Sequence, residues 1–300
     1  MNEDKWLNCR LQDLQTKLQE AASPVSLPVI SRLLKARHYR LRVNHKDEEG
    51  VSPVDRDQQF LYLQQQREAF LAQGQPVISV DTKKKELVGN FKNAGRIWCE
   101  EAPRVNVHDF PSQGQGKAVP YGIYDVTHNR GTVYVGQSAD TAEFAVDNLA
   151  HWCEEEMSQR FPNATKLLVH ADCGGSNSVR CRLWKEQLQV HIADRFGLEV
   201  TVCHYPTGCS KWNPIEHRLF SEISKTWAGC PLSSFDTILD YLRQTTTQTG
   251  LKVAAHLVTK VYQKGLKVAD KVMTALRLTT HDICPQWNYT LRPRVQGVIA

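Results

Sequence analysis

The sequence predicts an α/β fold: one mixed sheet flanked by helices, preceded by a smaller helical region. Three observations predict it. An apolar run ending in a carboxylate, Val77-Ile-Ser-Val-Asp81, follows a largely helix-patterned region that holds a basic stretch at 26–46 and an acidic, turn-rich one at 47–57. Two further strand-like runs, Ala118 to Val126 and Gly131 to Gly136, are joined by Thr127-His-Asn-Arg130, which reads as a hairpin. Beyond them strand and helix patterns alternate. The resulting order, β-β-β-α-β-α-β-α, is that of a ribonuclease H-like sheet, in which three antiparallel strands are extended by parallel ones through helical crossovers.

Each element has its own signal. Leu7, Leu11, Leu14 and Leu18 recur at intervals of four, three and four, one face of a helix over 5–20. After a Ser/Pro-rich break at 23–28, the stretch from Ser26 to Lys46 holds Arg32, Lys35, Arg37, Arg40, Arg42 and Lys46 and no acidic residue, beside Val29, Ile30, Leu33 and Leu34. This pattern predicts a basic amphipathic helix followed by a short basic strand, like the last helix and wing of a winged helix-turn-helix. A further helix over 57–73 ends at Gly74 with Pro76 behind it, which predicts a domain boundary near Pro76. The expected division is 1–75 helical DNA-binding region, 76–230 core and 231–300 extension of the core.

Within the core, Phe144, Leu149 and Trp152 share a face of a helix from Asp140 to about Arg160, with Asp140 or Thr141 as its cap. Lys166 to Asp172 is a second apolar run ending in a carboxylate. Ser178 to Phe196 reads as a helix closed by Gly197, Glu199 to Tyr205 as a strand, and Pro214 as the start of a helix reaching about Trp227. Residues 234–244 and 268–276 read as helices, with an extended tail around Trp287-Asn-Tyr289 that the pattern does not place on the sheet.

Composition sets outer bounds. The 300 residues are 41% hydrophobic and carry a net charge of +5, ordinary globular material that suits a polyanionic partner without requiring one. No stretch of about 18 apolar residues offers a membrane span, and the polar start does not read as a secretion signal. Nine cysteines without a repeating interval fit reduced thiols better than a disulfide framework, so the expected location is the cytoplasm.

The chemistry concentrates in three carboxylates. Asp81 and Asp172 each end a predicted strand, and the topology makes those strands parallel neighbours, so both groups leave the same sheet edge. Like charges so placed need cations between them. Hard oxygen donors suit Mg²⁺, with Mn²⁺ as a substitute. Glu216, one turn into the next helix in Asn213-Pro-Ile-Glu216, supplies a third. Three carboxylates holding two metals about 4 Å apart are a phosphodiester-chemistry site. Each residue taken singly also has a plainer reading, as a turn former, a helix cap or a first-turn glutamate.

Around them, Lys83, Lys84 and Lys85 are candidates to neutralise DNA phosphates, His217 and Arg218 to orient one, and Lys211 with Trp212 to hold an unpaired base. Cys203, His204, Cys209, Cys173 and Cys181 have zinc-ligand chemistry but no Cys-x-x-Cys spacing. The glycines at 114, 116, 174 and 175 lack the Gly-Lys-Thr/Ser ending of a phosphate loop, so no nucleotide cofactor is expected.

Several stretches together resemble one family. They are Asp81-Thr-Lys-Lys-Lys-Glu86, Gly89-Asn-Phe-Lys-Asn93, Val105-Asn-Val-His-Asp-Phe-Pro111, Pro120-Tyr-Gly-Ile-Tyr-Asp125, Asp172-Cys-Gly-Gly-Ser-Asn177, Cys203-His-Tyr-Pro206 and Ser210-Lys-Trp-Asn-Pro-Ile-Glu-His-Arg-Leu-Phe220. The chain resembles, over roughly 25–290, the Rhodopirellula-type DDE transposases of bacterial insertion sequences, also named after an Azoarcus element. The resemblance implies a ribonuclease H-like catalytic domain with Asp81, Asp172 and Glu216 as its metal-binding acidic triad. It also implies cleavage and strand transfer at insertion-sequence ends, and double-stranded DNA as partner, bound as a homodimer. Two positions depart from the family pattern, Cys173 for a glycine and Thr207-Gly-Cys209 for Pro-Gly-Thr. The N-terminal region is expected to be shorter than in relatives. A structure-selective nuclease without strand transfer and a catalytically inactive DNA-binding remnant remain open alternatives.

Overall fold

The structure, a computed structural model, describes residues 9–40 and 55–294. The chain forms two compact units, Met1–Glu49 and Gly50–Ala300.

In the first unit, α1 (Leu11–Glu20) and α2 (Leu27–Ala36) pack against each other, with Gln15 donating to the Val25 carbonyl across the turn at 2.9 Å. Pro28 falls in the first turn of α2, where its missing N–H costs nothing. The helix closes with His38 in the left-handed region (φ 65°) and Tyr39 N–H donating to the Leu34 carbonyl at 2.9 Å, a Schellman-type ending. The expected wing strand, with Arg42 and Lys46, lies outside the described residues.

The second unit begins with α3 (Arg56–Ala72), and here the boundary differs from the one expected near Pro76. Leu63 and Phe70 of α3 are buried against Val77, Leu168, Cys203 and Tyr205. Gln59, fully buried, donates to the His204 carbonyl at 2.9 Å and exchanges amide hydrogen bonds with Asn288 at 2.8 and 2.6 Å. A helix bonded to the sheet in this way belongs to it, and the Gly74-Pro76 break only turns the chain from α3 into β1.

The sheet follows as β1 (Val77–Thr82), β2 (Glu86–Val88), β3 (Gly116–Asp125) and β4 (Arg130–Gly136). Helix α4 (Ala142–Trp152) is capped by Thr141, whose hydroxyl accepts from Phe144 N–H at 3.2 Å, and continues through a π-wound turn to Arg160. Next come β5 (Lys166–Ala171), α5 (Arg182–Leu188) and β6 (Glu199–His204). A π-wound turn, Glu216–Phe220, leads into α6 (Ser221–Thr226). The chain ends through α7 (Phe235–Gln244), β7 (Lys252–Val258), α8 (Asp270–Thr274), β8 (Leu278–Thr280) and β9 (Asn288–Leu291).

Among the described residues the strand order is β7-β4-β3-β1-β5-β6-β9-β8, with β2 pairing β3. The centre of that order, β4-β3-β1 antiparallel with β5 and β6 added parallel to β1, is the ribonuclease H-like arrangement. Two strands after residue 231, in the region unplaced by pattern, complete both sides: β7 joins β4 in parallel and β9 joins β6 antiparallel. One face is covered by α4 and α5 over a core that includes Trp152, Trp184 and Leu149. The other is covered by the helix from Glu216 and by α7, through Ile215, Leu219, Phe220 and Leu242. No helix among the described residues is long and apolar enough to cross a membrane.

Candidate active site

Asp81 and Asp172 are brought together by register. Val80 pairs with Ala171 in the parallel β1–β5 ladder; Asp81 is the next residue of β1, and Asp172 directly follows the end of β5. Neighbouring parallel strands lie about 4.8 Å apart and in-register side chains share a face, so the two carboxylates leave the sheet side by side. On its other flank Asp81 pairs with Gly122 of β3. That glycine lets the helix of the third group approach: a Cβ there would lie 2.6 Å from the ring of Phe220, one turn after Glu216, and 2.9 Å from Cδ1 of Ile215, directly before it.

The electrostatics report the same convergence. Burial first, then the Asp172 charge and Glu216, push the Asp81 carboxyl up to about 8. Burial and Glu216 push Asp172 up to about 6, against a hydrogen bond from Asn213. Glu216 thus acts on both aspartates, and no lysine or arginine is among the groups that shift either. The side chains do not form a closed cage: among the described residues no three His, Cys, Asp or Glu are gathered tightly enough to hold an ion. Three hard-oxygen donors, two of them raised by burial and mutual repulsion, are nonetheless the donor set that a divalent cation would relieve.

A polar scaffold absent from the sequence reading holds this edge. Asn213, fully buried, accepts from the Ser79 hydroxyl and donates to the Asp172 carboxylate at 3.3 Å and to the Val80 carbonyl at 3.4 Å. Ser79 Oγ in turn accepts from the Ile215 N–H at 3.2 Å. Beneath Asp172, His204 Nδ1–H donates to its carbonyl at 2.8 Å, and burial holds that imidazole neutral with its pKa down to about 4. The only sequence signal for these roles was the position of Asn213 directly before Pro214-Ile-Glu216.

The lysines after Asp81 separate in role. Lys83 is buried, paired with Glu86 at 3.2 Å and placed 4.7 Å from the Trp227 ring centroid, where ion pairing and cation–π attraction retain it. Lys84 is exposed, and Lys85 pairs with Asp140 at 3.3 Å. All three lysines line a cleft of about 440 Å³ with Asp81 and Asp172. Trp212 is 53% exposed, edge-on to Phe60, with Lys211 over its ring and Arg218 exposed nearby in sequence. His217 is turned back to the Lys211 carbonyl. In the separate N-terminal unit Arg32, Lys35, Arg37 and Arg40 are all exposed.

Residues 1–293 match the family described as Rhodopirellula transposase DDE domain. The chain belongs to this family of transposases. It is also similar to solved structures of the Mos1 transposase. They include the paired-end complex with left transposon end, at 13% identity and a TM-score of 0.46, covering 81% of this chain and 72% of that one. The Mos1 strand transfer complex gives 12% identity and 0.47 over 81% and 71%, and the Mos1 mariner paired-end complex with Mn gives 14% and 0.46 over 81% and 72%. No curated protein matches the chain. As a transposase of the DDE family, this chain has the site just described on the sheet edge where its two strand-terminal aspartates meet.

Proposed function

We propose that this transposase cleaves DNA strands at the ends of its insertion sequence and joins the freed 3′-hydroxyl to target DNA, with Asp81, Asp172 and Glu216 as its catalytic and metal-binding residues. The observation that carries the reading is the register of β1 and β5, which sets Asp81 beside Asp172 with Glu216 acting on both. Bound there, Mg²⁺ or Mn²⁺ supplies activation of the attacking oxygen and stabilisation of the leaving one. The chain's own residues do the remainder. Asn213 and the Thr82 N–H, which donates to Asp81 Oδ1 at 2.7 Å, each fix one oxygen of an aspartate that lines the cleft. Lys84 and Lys85 border that cleft and would neutralise phosphates on either side of the scissile bond. Trp212 and Lys211 offer an exposed aromatic face and a cation for an unpaired base, and Arg218 a phosphate contact.

The N-terminal unit would hold the terminal repeats through Arg32, Lys35, Arg37 and Arg40, joined by Arg42 and Lys46, with two copies of the chain on the DNA and activity in the cytoplasm. The test is to incubate the purified protein with Mg²⁺ and the DNA that flanks its own gene and to map the products. Nicks at defined ends with joined target strands are expected. Cleavage without joining would reduce the protein to a nuclease, and binding without cleavage would overturn the catalytic assignment.

A further inference from the structure

The first residues of β4 and β7 carry positive charge that the site above does not use. Arg130 and Lys252 are direct partners in the parallel β4–β7 ladder, both exposed, so two cations stand side by side at strand spacing. Like charges directly opposite one another disfavour the pairing unless an anion lies between them. Among the described residues neither has an ion-pair partner.

Arg160 and Arg243 join them around a cavity of about 320 Å³ that also takes in Thr245 and Thr246. Arg243 is anchored by donating to the Ala255 carbonyl at 3.0 Å, on the outer edge of β7, and remains 53% exposed with Asp240 at 3.7 Å. Glu156, the carboxylate of the lining, is already engaged by Arg160, which also binds the buried Asp125 at 2.7 Å. Asp125, opposite Arg130 in the β3–β4 ladder, and Glu156 are both held by Arg160, so neither neutralises Arg130 or Lys252 by an ion pair. No aromatic side chain lines it, so it offers a base nothing to stack on and suits the backbone of a duplex better than an unpaired strand.

Its position separates it from the carboxylates. Asp81 is level with Gly122 of β3 and, through it, with Val133 of β4. Arg130 lies three residues earlier on β4, roughly 10 Å down the strand and two strands across.

We propose that this cavity is a second DNA contact of the catalytic unit, in which Arg130 and Lys252 bind backbone phosphates of a duplex while Arg160 and Arg243 shape the wall. It rests on the reading of the chain as a DNA-acting transposase, though not on the role of the three carboxylates.

The test compares the full chain with Arg130→Ala/Lys252→Ala and with the charge-conserving Arg130→Lys/Lys252→Arg, binding a 30-base-pair duplex across a salt series. Loss of two phosphate contacts should reduce the log–log salt slope by about two, so that the parent's advantage over the alanine variant shrinks roughly tenfold between 50 and 200 mM salt. The conservative variant should keep the parent slope, and Lys252 acetylation by an amine-reactive reagent, read by mass spectrometry, should fall several-fold when duplex is present. An unchanged slope in the alanine variant, or a Lys252 equally reactive with and without duplex, overturns the proposal. Metal-dependent cleavage by the parent reports on the carboxylate site separately: cleavage with an unchanged slope sinks only this inference, and Lys252 protection without cleavage sinks only the catalytic assignment.

Discussion

The Ser79 hydroxyl donates to the side-chain oxygen of Asn213, and both residues are wholly buried at the edge from which the three carboxylates emerge. Ser79 lies two residues before Asp81, and Asn213 three residues before Glu216, so this one contact couples the strand of the first carboxylate to the helix of the third. The Asn213 amide then reaches Asp172, so the second carboxylate joins the same unit. Asn213→Ala is expected to cut cleavage by at least about a hundredfold, because loosening an orienting group by a fraction of an ångström has effects of that size. It should also destabilise the fold by about 1–3 kcal/mol through the unpaired Ser79 hydroxyl and Val80 carbonyl. Ser79→Thr, which keeps the hydroxyl, should recover more cleavage than Ser79→Ala in a single-turnover assay.

Asp172→Asn should separate chemistry from binding. The substitution removes a charge needed mainly in the transition state and keeps the shape of the side chain. Cleavage should fall by orders of magnitude, while binding to terminal repeats in the absence of metal stays within a few-fold in an electrophoretic shift. If Asp172→Asn cuts as well as the parent, the carboxylate is a loop residue.

Metal dependence should follow the donor set. Mg²⁺ or Mn²⁺ should support cleavage, and Ca²⁺, with longer and less regular coordination, should support binding with little turnover. Activity that persists undiminished in EDTA would rule the assignment out.

The raised carboxyl of Asp81 predicts how stability varies with pH. Its pKa lies at about 8 in the folded chain against an ordinary 3.8, so the folded state holds a proton that the unfolded state has released between those values. Stability should therefore decline as pH rises through this window, most of the loss being complete by about pH 8. Asp81→Asn removes the effect and should exceed the parent in stability at pH 8 in EDTA by several kcal/mol, with little difference near pH 4. Denaturant titrations at the two pH values measure it.

Replacing Arg37, Arg40 and Arg42 by alanine should act on the other half of the protein. Up to three phosphate contacts are lost, so terminal-repeat binding should weaken and its salt slope fall by up to about three. Metal-dependent nicking at high protein concentration should survive, and its loss in a nicking assay would contradict the division of labour.

Much of this protein was legible in the sequence because the signals were local. An apolar run ending in a carboxylate marks Asp81 and Asp172 whatever surrounds them, and the alternation of strand and helix patterns from 77 to 227 fixed the order of the central strands. Helix periodicity with Gly74 and Pro76 located the end of α3. It did not reveal the partner of that helix, because Gln59 meets His204 and Asn288 only after residues far apart in the chain are brought together. The same holds for β7 and β9, short runs with no pattern to assign an edge, whose places depend on pairing with β4 and β6. Lys83 read as a surface cation, and only the packing of Glu86 and Trp227 around it made it a buried one. Residue type and spacing picked out the three carboxylates as the candidate site. Tertiary structure decided how they are held, because hydrogen bonds such as those of Ser79 and Asn213 depend on distances in space that composition and periodicity do not encode.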